Sequence, residues 1–207
     1  MDKVVLTIVT ILFIISCAIA HCQEDFSRSY YNNLVRISEI EEAENVMIGD
    51  SLVSMHDFEG VANFGIPGDT IDGVRNRLDM ARRLHPKVVF ILIGANDVID
   101  YSPGRMYKRF FSYVYNPIKK TDSLPIVVTI PYVSSSVPSS EIRNKKIGIY
   151  NKYLRERLPH LDLNRATEKD GYLDERYSLD GVHLNDEGYR VFSRMVSEGL
   201  VACQDPA

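Results

Sequence analysis

Two kinds of apolar pattern take turns along this chain. Short continuous apolar runs occur at Val46-Met47-Ile48, Val61 to Phe64, Lys87 to Ile93, Pro125 to Ile130 and Leu161-Asp162-Leu163. Between them lie stretches in which apolar positions recur every three or four residues. Examples are Ile71, Val74, Leu78 and Ala81 within Thr70 to Leu84, and Ile147, Tyr150, Leu154 and Leu158 within Ile142 to Leu158. The first pattern predicts strands and the second amphipathic helices. Met106 to Lys119 also reads as helical, as does Asn185 to Val201 with Asn185 as its N-cap. Phe26 to Ala43 reads as a leading helix with Tyr30, Leu34, Ile37 and Ile40 on one face. The run from Val88 to Ile93 does not alternate with polar residues, which suits a parallel strand covered on both faces. Alternating strands and helices predict an α/β fold: a three-layer α/β/α sandwich around a central parallel sheet of about five strands, joined by right-handed crossovers. In such sheets ligands sit outside the carboxyl ends of the strands.

The first twenty residues break this pattern. Met1-Asp2-Lys3 precedes an uncharged apolar run from Val4 to Ala20 that ends in Ala18-Ile19-Ala20. A short charged start, an apolar middle and small residues at the end form a signal-peptide pattern. Ile14-Ile15-Ser16-Cys17 also fits a lipoprotein signal, in which Cys17 is acylated and holds the chain to a membrane. An uncleaved anchor is the third option, at the short limit for a span. All three place the protein outside the cytoplasm: periplasmic, cell-surface or secreted. The domain division is therefore a signal over 1–20 and one domain over 21–207. Besides Cys17 there are two cysteines, Cys22 and Cys203, at opposite ends of the mature chain. Export permits a disulfide between them; two unpaired terminal thiols are the preferred alternative. They carry no metal-binding spacing.

Composition narrows the function classes. The chain has 207 residues, 45% hydrophobic and 25% charged, with a net charge of −4. That is the balance of an ordinary globular domain. It lacks the basic stripe of a nucleic-acid-binding surface, since Lys119-Lys120 and Lys145-Lys146 are isolated pairs. No Lys follows Gly65-Ile66-Pro67-Gly68 as a phosphate-binding loop requires, and neither GxGxxG nor HExxH occurs.

Four stretches carry the candidate chemistry: Gly49-Asp50-Ser51, Gly65-Ile66-Pro67-Gly68-Asp69, Gly94-Ala95-Asn96-Asp97 and Asp180-Gly181-Val182-His183. Each falls at a predicted strand end or just before a helix. Ser51, just past the first strand, is a candidate nucleophile; alone it reads equally well as a helix N-cap. Val53 in place of glycine sets aside the G-x-S-x-G elbow. His183 is a candidate base, and Asp180, three residues earlier, is placed to orient it. His56, His85 and His160 are rivals, with His56 the strongest because it is near Ser51. Asn96 can aim a side-chain N–H at developing negative charge, and Gly68 a backbone N–H; the plainer readings are turn residues. The serine-rich segment Pro131 to Ser140 follows the fourth strand and so flanks the same sheet edge.

The blocks Asn63 to Thr70 (NFGIPGDT), Gly94 to Asp97 (GAND) and Asp180 to Gly188 (DGVHLNDEG), together with Gly49-Asp50-Ser51, resemble those of the SGNH hydrolases, or GDSL-like esterases and lipases. The likeness covers about 160 residues, from Tyr30 to the last helix, and is nearest to bacterial members akin to platelet-activating-factor acetylhydrolase catalytic subunits. The first block is GDSLV rather than GDSIT, a difference that touches no catalytic atom. The resemblance implies a flavodoxin-like fold and an exported serine esterase with Ser51 as nucleophile, His183 as base and Asp180 as its partner. It also implies an oxyanion hole from the Ser51 and Gly68 backbone N–H groups and the Asn96 side chain. No metal or organic cofactor is expected. With few insertions and no apolar cap, the expected substrate is a small-molecule or polysaccharide ester with a short acyl group, such as O-acetyl on carbohydrate. A lysophospholipase or short-chain lipid esterase is the alternative. A non-catalytic carbohydrate- or lipid-binding module on the same fold is the alternative of another class.

Overall fold

The structure is a computed structural model that describes residue 25 and residues 27–204. The signal-like segment, Cys17 and Cys22 lie outside the described residues. The chain divides into two compact units, residues 1–39 and 40–207. In the first, residue 25 and residues 27–38 are helical and form α1. It is shorter than the predicted Phe26 to Ala43. Ser38 Oγ turns back onto the Val35 carbonyl at 2.7 Å, and Glu39, Glu41, Glu42 and Glu44 would crowd the negative end of a longer helix.

The second unit contains a five-stranded sheet in the order β2-β1-β3-β4-β5. The strands are β1 (Asn45–Gly49), β2 (Ala62–Gly65), β3 (Val88–Leu92), β4 (Leu124–Val128) and β5 (His160–Leu161). Every pairing is parallel. This is the flavodoxin-like order, in which the chain reverses direction across the sheet between the first and third strands and leaves a crevice there. The fifth strand begins one residue before the predicted Leu161 and stops two before Leu163. Leu163 instead fills the core, and its N–H donates to Thr129 Oγ1 at 2.9 Å.

The helices are α2 (Ser51–Ser54), α3 (Ile71–Arg82), α4 (Pro103–Phe110), α5 (Asn116–Lys119), α6 (Ser140–Arg157), α7 (Asn164–Thr167) and α8 (Asp186–Gln204). Thr70 caps α3, its hydroxyl accepting from the Gly73 N–H. Asn185 caps α8 in the same way, accepting from Gly188 at 3.0 Å, as its position suggests. The single helix expected over Met106 to Lys119 is instead α4, a π turn at Phe111–Tyr115, and α5. Pro117 has no N–H to return to the preceding turn, and that gap is relieved by widening the helix.

The predicted apolar stripes are buried: Ile71, Val74, Leu78 and Ala81 on α3, and Ile147, Tyr150, Leu154 and Leu158 on α6 and just past it. Side chains of β3 divide between the two faces. Val88, Phe90 and Leu92 join Met47, Ile126, Val128, Phe192 and Val196 in one core cluster, so α8 covers that face. A small antiparallel hairpin, β6 (Glu168–Lys169) and β7 (Tyr172–Leu173), follows α7. The sequence pattern does not announce it, because each strand is only two residues long. Among the described residues no helix is long and apolar enough to cross a membrane.

Candidate active site

The four sequence blocks converge at the carboxyl ends of β1, β2 and β3. Ser51 is the first residue of α2, directly after β1. Its hydroxyl lies 3.0 Å from His183 Nε2. On the other side of the ring, Nδ1 lies 2.7 Å from Asp180 Oδ2. The second Asp180 oxygen accepts the backbone N–H groups of Val182 at 2.9 Å and His183 at 2.8 Å. One short loop thus presents both carboxylate and imidazole, with the carboxylate fixed by the backbone that carries the ring. Partial burial works against the Asp180 anion. The His183 backbone N–H, the His183 ring and the Val182 N–H outweigh it and hold its pKa down to about 2. A carboxylate kept ionised at Nδ1 leaves Nε2 facing the serine as an acceptor.

The rival histidines are engaged elsewhere. His56 Nε2 is 2.8 Å from Ser193 Oγ, and its ring stacks on Tyr189 at 4.7 Å. His160 Nδ1 sits 2.9 Å from the Leu158 carbonyl, and His85 occupies the turn after α3 with φ +49°.

Hydrogen bonds tie the other blocks to this centre. The Asn96 amide donates to the Asp69 carbonyl at 2.8 Å, which sets it beside the turn that carries Gly68. An amide nitrogen has two donors, and this bond uses one. Gly68 adopts φ +74°, a left-handed conformation that glycine enters without steric cost. The Ile66 N–H donates to the Gly49 carbonyl at 3.1 Å, joining the second block to the first. Asp97 accepts from the Ile71 N–H at 3.1 Å, joining the third to the start of α3.

Four residues without a role in the sequence reading, Arg77, Asp69, Asp50 and Asp97, prove central to this frame. Arg77 is buried on α3 and reaches three partners. It donates to Asp69 Oδ2 at 2.8 Å, the Phe64 carbonyl at 2.7 Å and the Gly49 carbonyl at 2.9 Å. It thereby clamps the ends of β1 and β2 and the glycine turn. Its signal in the sequence is an arginine in register with Val74, Leu78 and Ala81. Burial pushes the Asp69 carboxyl up, and the Arg77 guanidinium opposes that. Asp50 is fully buried. One oxygen caps α2 through the Leu52 N–H at 3.0 Å, and the other has no partner among the described residues. Burial pushes its pKa up to about 7; the Leu52 N–H opposes the shift, and the nearby Asp69 and Asp97 charges add to it. Burial likewise pushes Asp97 up to about 6, against the Ile71 N–H. Among the described residues no group of three or more His, Cys, Asp or Glu is placed to hold a metal ion. Cys203 is half-buried near the end of α8.

A hydroxyl hydrogen-bonded to an imidazole that is itself oriented by a carboxylate can serve as an activated nucleophile, given donors nearby for a developing oxyanion. Comparison with known proteins agrees with this chemistry. The model of the GDSL-like lipase/acylhydrolase family matches residues 41–191. A curated relative, N-acylneuraminate cytidylyltransferase of Streptococcus agalactiae, is 27% identical over 152 residues, which are 70% of this chain and 36% of that protein. The chain spans only about a third of the length of the curated relatives it matches. Among solved structures, a protein provisionally described as a platelet activating factor from Streptococcus pneumonia superposes with TM-score 0.74 at 18% identity, over 89% of this chain and 99% of that one. An acetyl xylan esterase superposes with TM-score 0.59 at 19% identity, over 75% and 98%. At these identities the two likenesses speak to the fold.

Proposed function

The chain belongs to the GDSL-like lipase/acylhydrolase family, an ester-hydrolysing serine hydrolase, and we propose that it removes short acyl groups, such as O-acetyl, from carbohydrate outside the cytoplasm. Family membership makes the binding-module reading unnecessary. In the proposed cycle Ser51 Oγ attacks the ester carbonyl carbon while its proton passes to His183 Nε2. The tetrahedral oxyanion is held by the Ser51 and Gly68 N–H groups and the Asn96 amide. His183 returns the proton to the departing alcohol, leaving an acyl-Ser51 ester. Water then attacks that ester, gives its proton to His183, and the acid leaves as Ser51 recovers its hydrogen. Asp180 holds the ring and stabilises the imidazolium throughout.

The observation that carries the mechanism is the chain of 2.7 and 3.0 Å contacts from Asp180 through His183 to Ser51. The bulky alcohol is supported by openness. The Asp180 side chain is 50% exposed and that of His183 26%, so an ester of a bulky alcohol can approach the site. The curated relative, matched over 36% of its length, is named as a cytidylyltransferase of N-acylneuraminate, a sugar acid, and we take that as accord with a carbohydrate substrate. The apolar run from Val4 to Ala20 supports export, with Cys17 as a site of lipid attachment in the alternative processing.

A second reading, a lysophospholipid or short-chain lipid esterase, has its own observation. A cavity of about 490 Å³ beside the His183 loop is lined in part by Met55, Leu179 and Leu184, and Met55 and Leu179 are exposed. Turnover of p-nitrophenyl acetate tests the class. Wild type should hydrolyse it, and Ser51→Ala should lose on the order of 10⁶ in kcat if the three residues act as a unit. Retained turnover in Ser51→Ala, or loss in His56→Ala with His183→Ala active, removes the assignment.

A further inference from the structure

We infer that the groove between the serine-rich loop over 134–140 and the β6–β7 hairpin binds neutral carbohydrate, and that it holds the polymer whose ester is cleaved. This rests on the carbohydrate-esterase reading above. Two cavities adjoin at the hairpin, of about 400 Å³ and about 280 Å³, and Asp170 and Tyr172 line both. Ser135 closes the first and Tyr132 lines the second.

The groove is a fixed feature of the fold. Asp170 and Gly171 have φ +54° and +84°, as the central pair of a type I′ hairpin turn requires. The turn is held from three sides. Gly171 N–H donates to Glu168 Oε1 at 2.6 Å, Asn144 Nδ2 donates to the Gly171 carbonyl at 3.0 Å, and Leu173 N–H donates to the Val133 carbonyl at 3.3 Å. A platform ordered before the ligand arrives spares the cost of ordering it on binding.

The loop that flanks the groove is tied to the loop that carries the imidazole. Ser134 N–H donates to the Gly181 carbonyl at 2.8 Å, and Gly181 lies between Asp180 and His183. A Cβ at Gly181 would meet Val137 Cγ2 at 2.7 Å and come within 3.5 Å of Ser134 and Ser136. The loop that flanks the groove is thus packed on the loop that carries the imidazole, with Ser135 one residue from that contact.

The lining selects the ligand class. Half-buried tyrosine rings offer flat apolar faces with a polar edge, the counterpart of a sugar ring with C–H faces and hydroxyl rims. Around Tyr172 stand groups of both signs, among them Asp170, Asp174, Lys169 and Lys145. An acyl chain would strip these groups of water without replacing it, at a cost. With Glu141 and Glu175 the carboxylates number four against two lysines, so a polyanion is repelled. A neutral polyhydroxyl chain replaces the lost water hydrogen bonds with its own.

The test compares acetate release from soluble acetylated xylan and acetylated glucomannan with turnover of p-nitrophenyl acetate. Tyr172→Ala should raise KM for the polymer about tenfold while kcat/KM for p-nitrophenyl acetate stays within about twofold. Tyr172→Phe should keep both, since the ring is retained. Asp170→Asn preserves the turn, because asparagine tolerates positive φ, and should weaken only the polymer reaction. Unchanged polymer KM in Tyr172→Ala overturns the inference, as does a parallel loss on both substrates, which would mark Tyr172 as structural. Turnover of p-nitrophenyl acetate without release from either polymer also overturns it and leaves the esterase class standing. No turnover of p-nitrophenyl acetate by wild type would instead remove the reading beneath it.

Discussion

At the scale of single residues, Asn96 separates catalysis from architecture. Its amide already holds the Asp69 carbonyl, so a purely structural Asn96 would show itself as lost stability. In the proposed mechanism the other amide hydrogen meets the oxyanion. Asn96→Ala should then lose about 10²–10³ in kcat, or roughly 2.7–4 kcal/mol, with KM little changed. Asn96→Asp should be slower still, since it sets a negative charge beside a developing one. Steady-state kinetics and melting temperature on both variants decide it; folded Asn96→Ala with wild-type kcat would sink the role. Asp50 makes a different prediction. Its carboxyl titrates near pH 3.8 when ordinary and near pH 7 in the fold. Between those values the folded chain holds a proton that the unfolded chain has released, so folding takes one up. This contribution is fully present below about pH 4 and is lost as pH rises to about 7. Asp50→Asn keeps the shape and the cap of α2 and removes the titration. Its melting temperature relative to wild type should therefore rise from pH 4.5 to pH 8. A constant difference across that range would show that Asp50 does not titrate there.

At the scale of elements, the position of Ser51, the proposed nucleophile, depends on how closely a four-residue helix packs on the end of a strand. A Cβ on Gly65 would come within 2.2 Å of Ser54 N and 2.6 Å of Ser54 Cα. Those atoms are backbone, so α2 itself must move. Gly65→Ala should cost about 1–3 kcal/mol from overpacking. Because Ser51 begins α2, kcat should fall as well, by on the order of 10²-fold for a displacement near 1 Å. Gly104 on α4 is the control, since a Cβ there meets nothing within 4 Å and Gly104→Ala should leave kcat intact. Wild-type kcat and melting temperature in Gly65→Ala would refute the argument.

At the scale of the whole molecule, the sheet order puts β1 beside β3 with β2 on the outside. The crevice at that reversal collects Ser51 from one strand end and Asn96 from the other. The site lies at an open edge. On the short-acyl reading, rates on p-nitrophenyl esters should fall from acetate to octanoate as kcat/KM. A rise toward octanoate would favour the lipid reading, with the cavity at Met55, Leu179 and Leu184 as its chain site.

The sequence by itself determined the architecture and the contents of the centre. Continuous apolar runs separated by three- and four-residue stripes force a covered parallel sheet, because no other packing buries both patterns. Ser51, Asp180 and His183 were legible as candidates because their blocks fall at a strand end or just before a helix. Element boundaries were less legible. The leading helix stops at residue 38, the helix at Pro117 widens into a π turn, and the fifth strand shifts to His160. Each is settled by local hydrogen bonding or charge that a hydrophobic pattern does not encode. The tertiary structure separates the histidines by their surroundings. His56 is closer to Ser51 along the chain, yet stacking on Tyr189 and the contact with Ser193 turn it away, whereas His183 crosses 132 residues to reach the serine. The clamp of Arg77 and the burial of Asp50 were likewise decided in three dimensions. Apart from the Asp69 carboxylate, their partners are backbone carbonyls and N–H groups, which no side-chain pattern marks. The hairpin groove belongs to the same class, since its walls come from distant segments that the loop after β4 and the hairpin bring together.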